Sequence, residues 1–270
     1  RSILPARDHL GIKPLYYIHK NGRFAFASEI KGLLASGQCD REINRQAVWD
    51  YFTYLYVPNP QTIYRDIHHL PPGCRLQYDL EKRQLNIEPF WNPMRVSNGT
   101  QPRAVGDDRW EAWSDQIRTT LGDAVERQMV SDVPLGAFLS GGIDSSILVG
   151  LMAQRSRERV KTFTVLFTGQ GVDFFNERDT ANAVVSRWDT EHHEVSVDIS
   201  RPEELLGLVS GFDQPFGNPT FYLSYLISKA TREHVKVAIS GAGGDELFGG
   251  YPRYRAVRYG RLAGRIPLLP

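Results

Sequence analysis

The sequence predicts an α/β protein built on a doubly wound parallel sheet, preceded by a smaller α+β region. Three observations carry that expectation. From Trp110 onward, apolar runs of strand length alternate with amphipathic helical stretches. Two of those strands lead into glycine-rich, acid-bearing loops, Ser140-Gly-Gly-Ile-Asp-Ser-Ser146 and Ser240-Gly-Ala-Gly-Gly-Asp-Glu246. The residues before Asn92 follow another pattern, with short aromatic strands, hairpin signals and proline breaks.

The first region is assigned to residues 1–92. Strands at 16–18 and 23–27 flank Asn21-Gly22, a strong two-residue hairpin signal. Ser28 is the expected N-cap of a helix over 29–34, and a second helix over 45–54 stops before Pro58-Asn-Pro60. Strands at 75–79 and 84–89 complete it. A stretch rich in Pro, Gly, Asn and Ser follows, and the linker is placed at 93–108. The second domain, 109–270, reads as helix (110–129), strand (133–139), helix (145–155), strand (160–167), helix (177–188), strand (193–198), helices (203–209 and 222–233) and strand (235–239).

Composition narrows the function. The chain has 270 residues, 41% of them hydrophobic, enough for two modest cores. Its net charge of +1 calls for no polyanionic partner. No run approaches eighteen apolar residues and the start, Arg1-Ser-Ile-Leu-Pro5, has no signal-peptide architecture, so a cytoplasmic enzyme without membrane attachment is expected. Cys39 and Cys74 are read as reduced thiols, not a bridge. An arginine at position 1 and an end soon after the second loop give the expectation of a fragment.

Both loops have the chemistry of a phosphate-and-metal site. Gly141 and Gly142 let the backbone expose consecutive N–H groups at a helix N-terminus, while Ser140, Ser145 and Ser146 offer hydroxyls. A carboxylate in a phosphate cradle repels its ligand unless a cation lies between them, so Asp144 is read as a Mg²⁺ ligand. The second loop repeats the pattern with Gly241, Gly243 and Gly244, and supplies Asp245 and Glu246. Asp245 is the natural metal partner of Asp144. The chain has no G-x-x-x-x-G-K-[ST] motif and lacks the last glycine of a dinucleotide fingerprint, which argues against a Walker ATPase and a nicotinamide enzyme.

These residues resemble a known family. Ser140 to Ser146 is similar to the pyrophosphate loop of N-type ATP pyrophosphatases, and Ser240 to Tyr251 resembles the second signature of glutamine-dependent asparagine synthetases. Arg7-Asp-His-Leu-Gly-Ile-Lys-Pro-Leu-Tyr-Tyr17, Phe26 to Leu34, Leu70-Pro-Pro-Gly73 and Phe212-Asp-Gln-Pro215 resemble other parts of that family. The resemblance implies an adenine-nucleotide alpha-hydrolase-like fold for the second domain, and the C-terminal part of an Ntn-hydrolase-type glutaminase for the first. It implies ATP and Mg²⁺ as cofactors, with Leu139, Val165, Ser240 and Gly241 against the adenosine, and Asp144, Asp245 and Glu246 as catalytic groups. The implied reaction is adenylation of aspartate with release of pyrophosphate, then amidation by glutamine-derived ammonia. The family's glutaminase nucleophile is an N-terminal cysteine, so these residues alone are not expected to hydrolyse glutamine. A homodimer is compatible with the resemblance.

One position departs from the family pattern. Asparagine synthetases usually carry an acid after the Ser-Gly of the second signature, where this chain has Ala242. Ala242 keeps open a paralogue that acts on another carboxylate, with Glu246 as a candidate replacement acid. The arginine–tyrosine tail, Tyr251 to Arg261, raises a tRNA-modifying pyrophosphate-loop enzyme as a further alternative, although the near-zero net charge makes a nucleic acid partner not expected. His68-His69 and His192-His193 lack metal-ligand spacing and are read as surface pairs. Asp213, Asn218 and Thr220 read equally as acceptor-pocket residues or as a loop held by turns. Glu29 and Lys31 read as a solvated helix turn.

Overall fold

In a computed structural model of the chain, residues 1–96, 109–168, 177–198, 203–218 and 220–263 are described. The chain divides into two compact units, Arg1–Ala104 with Pro202–Phe221 and Val105–Arg201 with Tyr222–Pro270. Most of the linker expected at 93–108 lies outside the described residues.

The first unit contains β1 (Ser2–Ile3), β2 (Tyr16–Lys20), β3 (Arg23–Ala27), α1 (Ile30–Ala35), α2 (Arg45–Tyr54), β4 (His68–His69), β5 (Cys74–Asp79), β6 (Gln84–Pro89) and α3 (Pro93–Val96). Two antiparallel three-stranded sheets result, ordered β1-β5-β6 and β3-β2-β4. The β2–β3 hairpin turns at Asn21 and Gly22, both left-handed at φ 52° and 70°. Successive strand residues face opposite sides. Tyr17 therefore joins Leu70, Leu76 and Tyr78, whereas Ile18 joins Ile30, Leu33 and Ile67. Cys39 and Cys74 are free thiols.

The two helices start differently. Asn44 caps α2, its side-chain oxygen accepting from Gln46 N at 3.1 Å and Ala47 N at 3.3 Å. For α1 the expected cap is corrected: the helix begins at Ile30, Ser28 plays no capping part, and the N-cap residue Glu29 makes no side-chain capping bond. A carboxylate remote in sequence does that work. Asp213 Oδ2 accepts from Lys31 N at 3.0 Å, while Lys31 Nζ lies 3.5 Å from Asp213 Oδ1 and donates to Gly211 O at 3.0 Å. A free first-turn N–H and a helix dipole favour an anion there whatever its place in the chain. Glu29 and Lys31, expected in a solvated turn, are thus tied to the segment around Asp213, with Lys31 Nζ also 3.9 Å from Glu29 Oε1.

Arg7 organises the turn before β2. It is only 6% exposed and donates to Leu70 O (2.8 Å), Gly11 O (2.7 Å) and Lys13 O (3.0 Å). Arg7→Met leaves those carbonyls short of donors and is expected to cost about 3 kcal/mol of stability. A matching fall in the urea midpoint, with an unchanged m-value, checks this.

The surface reading of His68-His69 is corrected. Pairing of β4 with β2 draws both rings inward, and His69 stacks on Tyr16 with centroids 4.4 Å apart. His69 Nε2 is buried with no hydrogen-bond partner among the described residues. Burial, then the nearby Arg7 charge, push its pKa down to about 4. The folded state therefore binds fewer protons than the unfolded state between about pH 6.5 and 4, so this contribution to stability is lost as pH falls through that window. His69→Phe is expected to flatten the fall in urea midpoint between pH 7 and pH 5.

The second unit holds α4 (Trp110–Gln128), β7 (Leu135–Phe138), α5 (Ile143–Arg155), β8 (Lys161–Thr168), α6 (Arg178–Trp188) and β9 (Glu191–Asp198). After α7 (Glu203–Val209), whose residues group with the first unit, come α8 (Thr220–Thr231), β10 (Val237–Ile239), α9 (Gly244–Phe248) and α10 (Pro252–Ala263). Its strands form a parallel sheet in the order β10-β7-β8-β9. Strand alternation divides the apolar side chains between two faces. Ala137, Leu139 and Ile239 pack with Leu121 and Val125 of α4, Val149 and Met152 of α5 and Ala181 of α6. Phe138, Phe163, Val195 and Val197 pack on the other face with Leu226 and Ala230 of α8. Helices on both faces of a parallel sheet make the doubly wound arrangement.

Several boundaries differ from expectation, three of them for clear local reasons. β10 begins at Val237, not 235, because His234 N and Val235 N both bond back to Thr231 O and close the helix end. α5 begins at Ile143, two residues early, so Asp144 sits in its first turn. α8 begins at Thr220, where Asn218 Oδ1 accepts from Thr220 N at 3.0 Å. His192-His193 lies in β9, not on the surface as read. His192 Nδ1 is 3.0 Å from Thr162 Oγ1, and its buried Nε2 has no partner among the described residues.

Candidate nucleotide site

The chain lays down β7, β8 and β9 in one direction and then returns to place β10 on the other side of β7. The loops following β7 and β10 are therefore neighbours at a topological switch point, at the carboxyl ends of the strands.

The first loop is pinned to the sheet at its root. Leu139, 1% exposed, donates its N–H to Phe163 O at 2.8 Å, and its carbonyl accepts from Thr164 Oγ1 at 2.6 Å. Gly141 then turns through φ +83° at a place where an added Cβ would overlap Thr180 Oγ1 and lie 2.9 Å from Ala181 N of α6, so no side chain fits. Gly142 is the N-cap of α5. The hydroxyls mostly hold the loop itself: Ser145 and Ser146 Oγ donate to Gly142 O at 3.1 and 2.7 Å, and Ser140 Oγ accepts from Gly142 N at 3.2 Å. The opening N–H groups of α5 have no helical carbonyl and no side-chain cap, so they remain as anion donors.

The second loop closes on the first. A Cβ at Gly241 would lie 3.0 Å from Asp144 Cβ and 3.1 Å from Ser145 N, and one at Gly244 would overlap the Asp144 carboxylate. Close approach is thus the reason for these two glycines. Ser140, Gly142, Asp144, Ser145, Ser240, Gly241 and Asp245 line one cleft of about 800 Å³. Leu139 and Val165 line a second cavity of about 380 Å³, walled by Phe163, Phe167 and Ile227. The two share Phe138, Ser140 and Ser240.

Three expected site residues stand apart from both linings. Gly141 and Ser146 support the first loop from behind. Glu246 is exposed, and its Oε1 accepts from Tyr251 OH at 2.8 Å, a bond that holds its carboxyl below the usual range. Among the described residues no group of three His, Cys, Asp or Glu side chains gathers as a metal site. In the tail, Arg253 lies over the Tyr251 ring at 4.2 Å. Asp213 lines a separate cavity of about 540 Å³ within the first unit, beside Tyr16, Glu29 and His69. Glu177, Ser224 and Ser228 line the smaller cavity of the second unit and were not singled out from the sequence.

Residues 116–269 match the family model described as asparagine synthase, and residues 1–91 match the one described as a glutamine amidotransferase domain. The chain belongs to the asparagine synthase family. This asparagine synthase-family chain is 37% identical over 268 residues to asparagine synthetase [glutamine-hydrolyzing] 1 of Bacillus subtilis, covering 97% of itself and 39% of that protein. It is 36% identical over 253 residues to a provisionally named asparagine synthetase [glutamine-hydrolyzing] 2 of Methanocaldococcus jannaschii, covering 92% of itself and 47% of that protein. The chain therefore spans less than half the length of these relatives. Among solved structures, the NH3-dependent NAD synthetase of Campylobacter jejuni gives a partial likeness, with TM-score 0.34, 15% identity, and coverage of 51% of this chain and 60% of that one.

Ala242 lines the larger cleft and donates its N–H to Ser240 Oγ at 3.4 Å. No helix among the described residues is long and apolar enough to cross a membrane.

Proposed function

We propose that this chain is the ATP-binding and glutaminase-linked part of an ATP-dependent amidotransferase that adenylates a carboxylate, releases pyrophosphate, and passes the activated acyl group to ammonia derived from glutamine. The observation that carries this reading is the meeting of the two loops: Gly241 and Gly244 seat the Asp144 carboxylate in the cleft that also takes Asp245. Two carboxylates in one cleft suit Mg²⁺, which commonly takes one or two carboxylates and completes its shell with water and phosphate oxygens. When bound there, the ion neutralises charge on the phosphates.

The chain's own groups supply the rest. The opening N–H groups of α5 receive the β and γ phosphates, and the bonds from Ser145 and Ser146 to Gly142 O keep those donors in place before the ligand arrives. Leu139, Val165, Ser240 and Gly241 receive the adenosine part, with the base in the cavity walled by Phe163 and Phe167. A carboxylate oxygen attacks the α phosphorus, the bond to the bridging oxygen of pyrophosphate breaks, and positioning supplies most of the acceleration. In this reading the second unit is adenine-nucleotide alpha-hydrolase-like and the first belongs to an Ntn-type glutaminase.

Aspartate is the acceptor that the family membership favours. Ala242 supports a second reading, another carboxylate acceptor, because the cleft wall carries a methyl group at the position where the resembled signature usually has an acid. ATP–pyrophosphate exchange by the full-length protein tests both. Exchange that depends on aspartate is the expected result. Exchange with a different carboxylate alone would move the assignment to the second reading, and absence of exchange with every carboxylate would end the adenylation proposal.

A further inference from the structure

We infer that Glu177 binds the ribose of the nucleotide, accepting hydrogen bonds from its 2′ and 3′ hydroxyls; this rests on the reading of the second unit as an ATP site. Among the described residues, Glu177 is the sole charged one in the lining of the smaller cavity. Its backbone is fixed against the first loop. The Glu177 carbonyl accepts from Thr180 Oγ1 at 2.9 Å and from Ala181 N at 3.1 Å, and those same two groups back Gly141.

Among the described residues the carboxylate itself has no hydrogen-bond or ion-pair partner. Glu177 is the N-cap residue of α6, yet its side chain makes no capping bond. Among the described residues it joins no ion pair, whereas its neighbour Arg178 is bound to Glu194, Nε to Oε1 at 2.5 Å. An ionised carboxylate only accepts hydrogen bonds and repels phosphate, so it must face a neutral, donor-bearing part of the nucleotide. Its position agrees with that requirement: Glu177 lines the smaller cavity and is absent from the lining of the cleft that holds Asp144 and Asp245.

The donors on a nucleoside are the exocyclic amine of the base and the ribose hydroxyls. The inner wall of the cavity is Phe163, 1% exposed, with Val165 and Ile227, a surface suited to a flat base. Glu177 is exposed, and Ser140 and Ser240, shared with the phosphate cleft, belong to the same lining. The sugar, which joins base to phosphates, is the part that passes such a position.

Titration of the full-length protein with ATP, 2′,3′-dideoxy-ATP and inosine triphosphate tests this. Glu177→Ala is expected to weaken ATP and inosine triphosphate at least tenfold, the worth of a hydrogen bond to a charged group, and to leave dideoxy-ATP unchanged. Glu177→Gln, which keeps one acceptor oxygen, should fall between. Equal losses for ATP and dideoxy-ATP with none for inosine triphosphate would move the carboxylate to the base amine and overturn the inference. Unchanged or tighter ATP binding by Glu177→Ala would also overturn it. Failure of the unsubstituted protein to bind ATP would instead remove the nucleotide-site reading itself, and the ribose role with it.

Discussion

Asp144→Asn is expected to lower ATP–pyrophosphate exchange about a thousandfold, in line with removing one well-placed electrostatic group from a closed site, while leaving the fold intact. The substitution is nearly isosteric, so the close seat formed by Gly241 and Gly244 still accepts the side chain. What changes is charge. An amide cannot balance a divalent cation, and its NH₂ group places donors where the ion would sit. Asp245→Asn should act in the same direction, and the double substitution should cost much less than the two single losses combined, because both carboxylates serve one ion. The check is exchange rate as a function of Mg²⁺ concentration. A loss in Asp144→Asn that high Mg²⁺ restores in full marks weakened ion binding; a loss that persists at saturation marks charge missing from the transition state. An exchange rate within threefold of the unsubstituted protein at every Mg²⁺ concentration would remove Asp144 from the reaction.

Much of this site was legible because its chemistry is local. Ser140 to Ser146 and Ser240 to Asp245 each pack backbone freedom, donors and an acid into a few consecutive positions, and each follows an apolar run. The order β10-β7-β8-β9 then explains how loops a hundred residues apart come to share a cleft. What the sequence hid depends on contacts between distant segments. Nothing near α1 announces that Asp213 will bond to Lys31 N, and Ser28 presented a better local cap. His68-His69 looked like a surface pair because the two-residue strand β4 is too short to show a period, yet its pairing with β2 buries His69 Nε2. Glu177 gave no signal, since a glutamate at a helix start is ordinary on any solvated surface. Only its place in the cavity wall sets it apart. Ser145 and Ser146 show the reverse case, where the motif was visible but two of its hydroxyl protons are directed to Gly142 O within the loop.

Gly141→Ala is expected to destabilise the second unit by about 3 kcal/mol and to abolish exchange even where the protein remains folded. Two separate penalties combine. At φ +83° an alanine enters the left-handed region, which costs about 1–2 kcal/mol for a residue with a Cβ. That Cβ also overlaps Thr180 Oγ1 and approaches Ala181 N to 2.9 Å. A flexible side chain could swing away from such a contact, but Ala181 N is helix backbone and Ala181 is fully buried in the core between α6 and the sheet. Relief must therefore come from the loop, by moving the turn that sets the opening N–H groups of α5. Thr180→Ala separates the two penalties. It removes the hydroxyl that the new methyl meets, so the double substitution should recover part of the stability and leave the backbone cost in place. Thermal or urea unfolding of the two single variants and the double one measures the coupling. If Gly141→Ala unfolds at the same midpoint as the unsubstituted protein and keeps its exchange activity, the loop is neither as tightly backed nor as rigid as the proposed phosphate cradle requires.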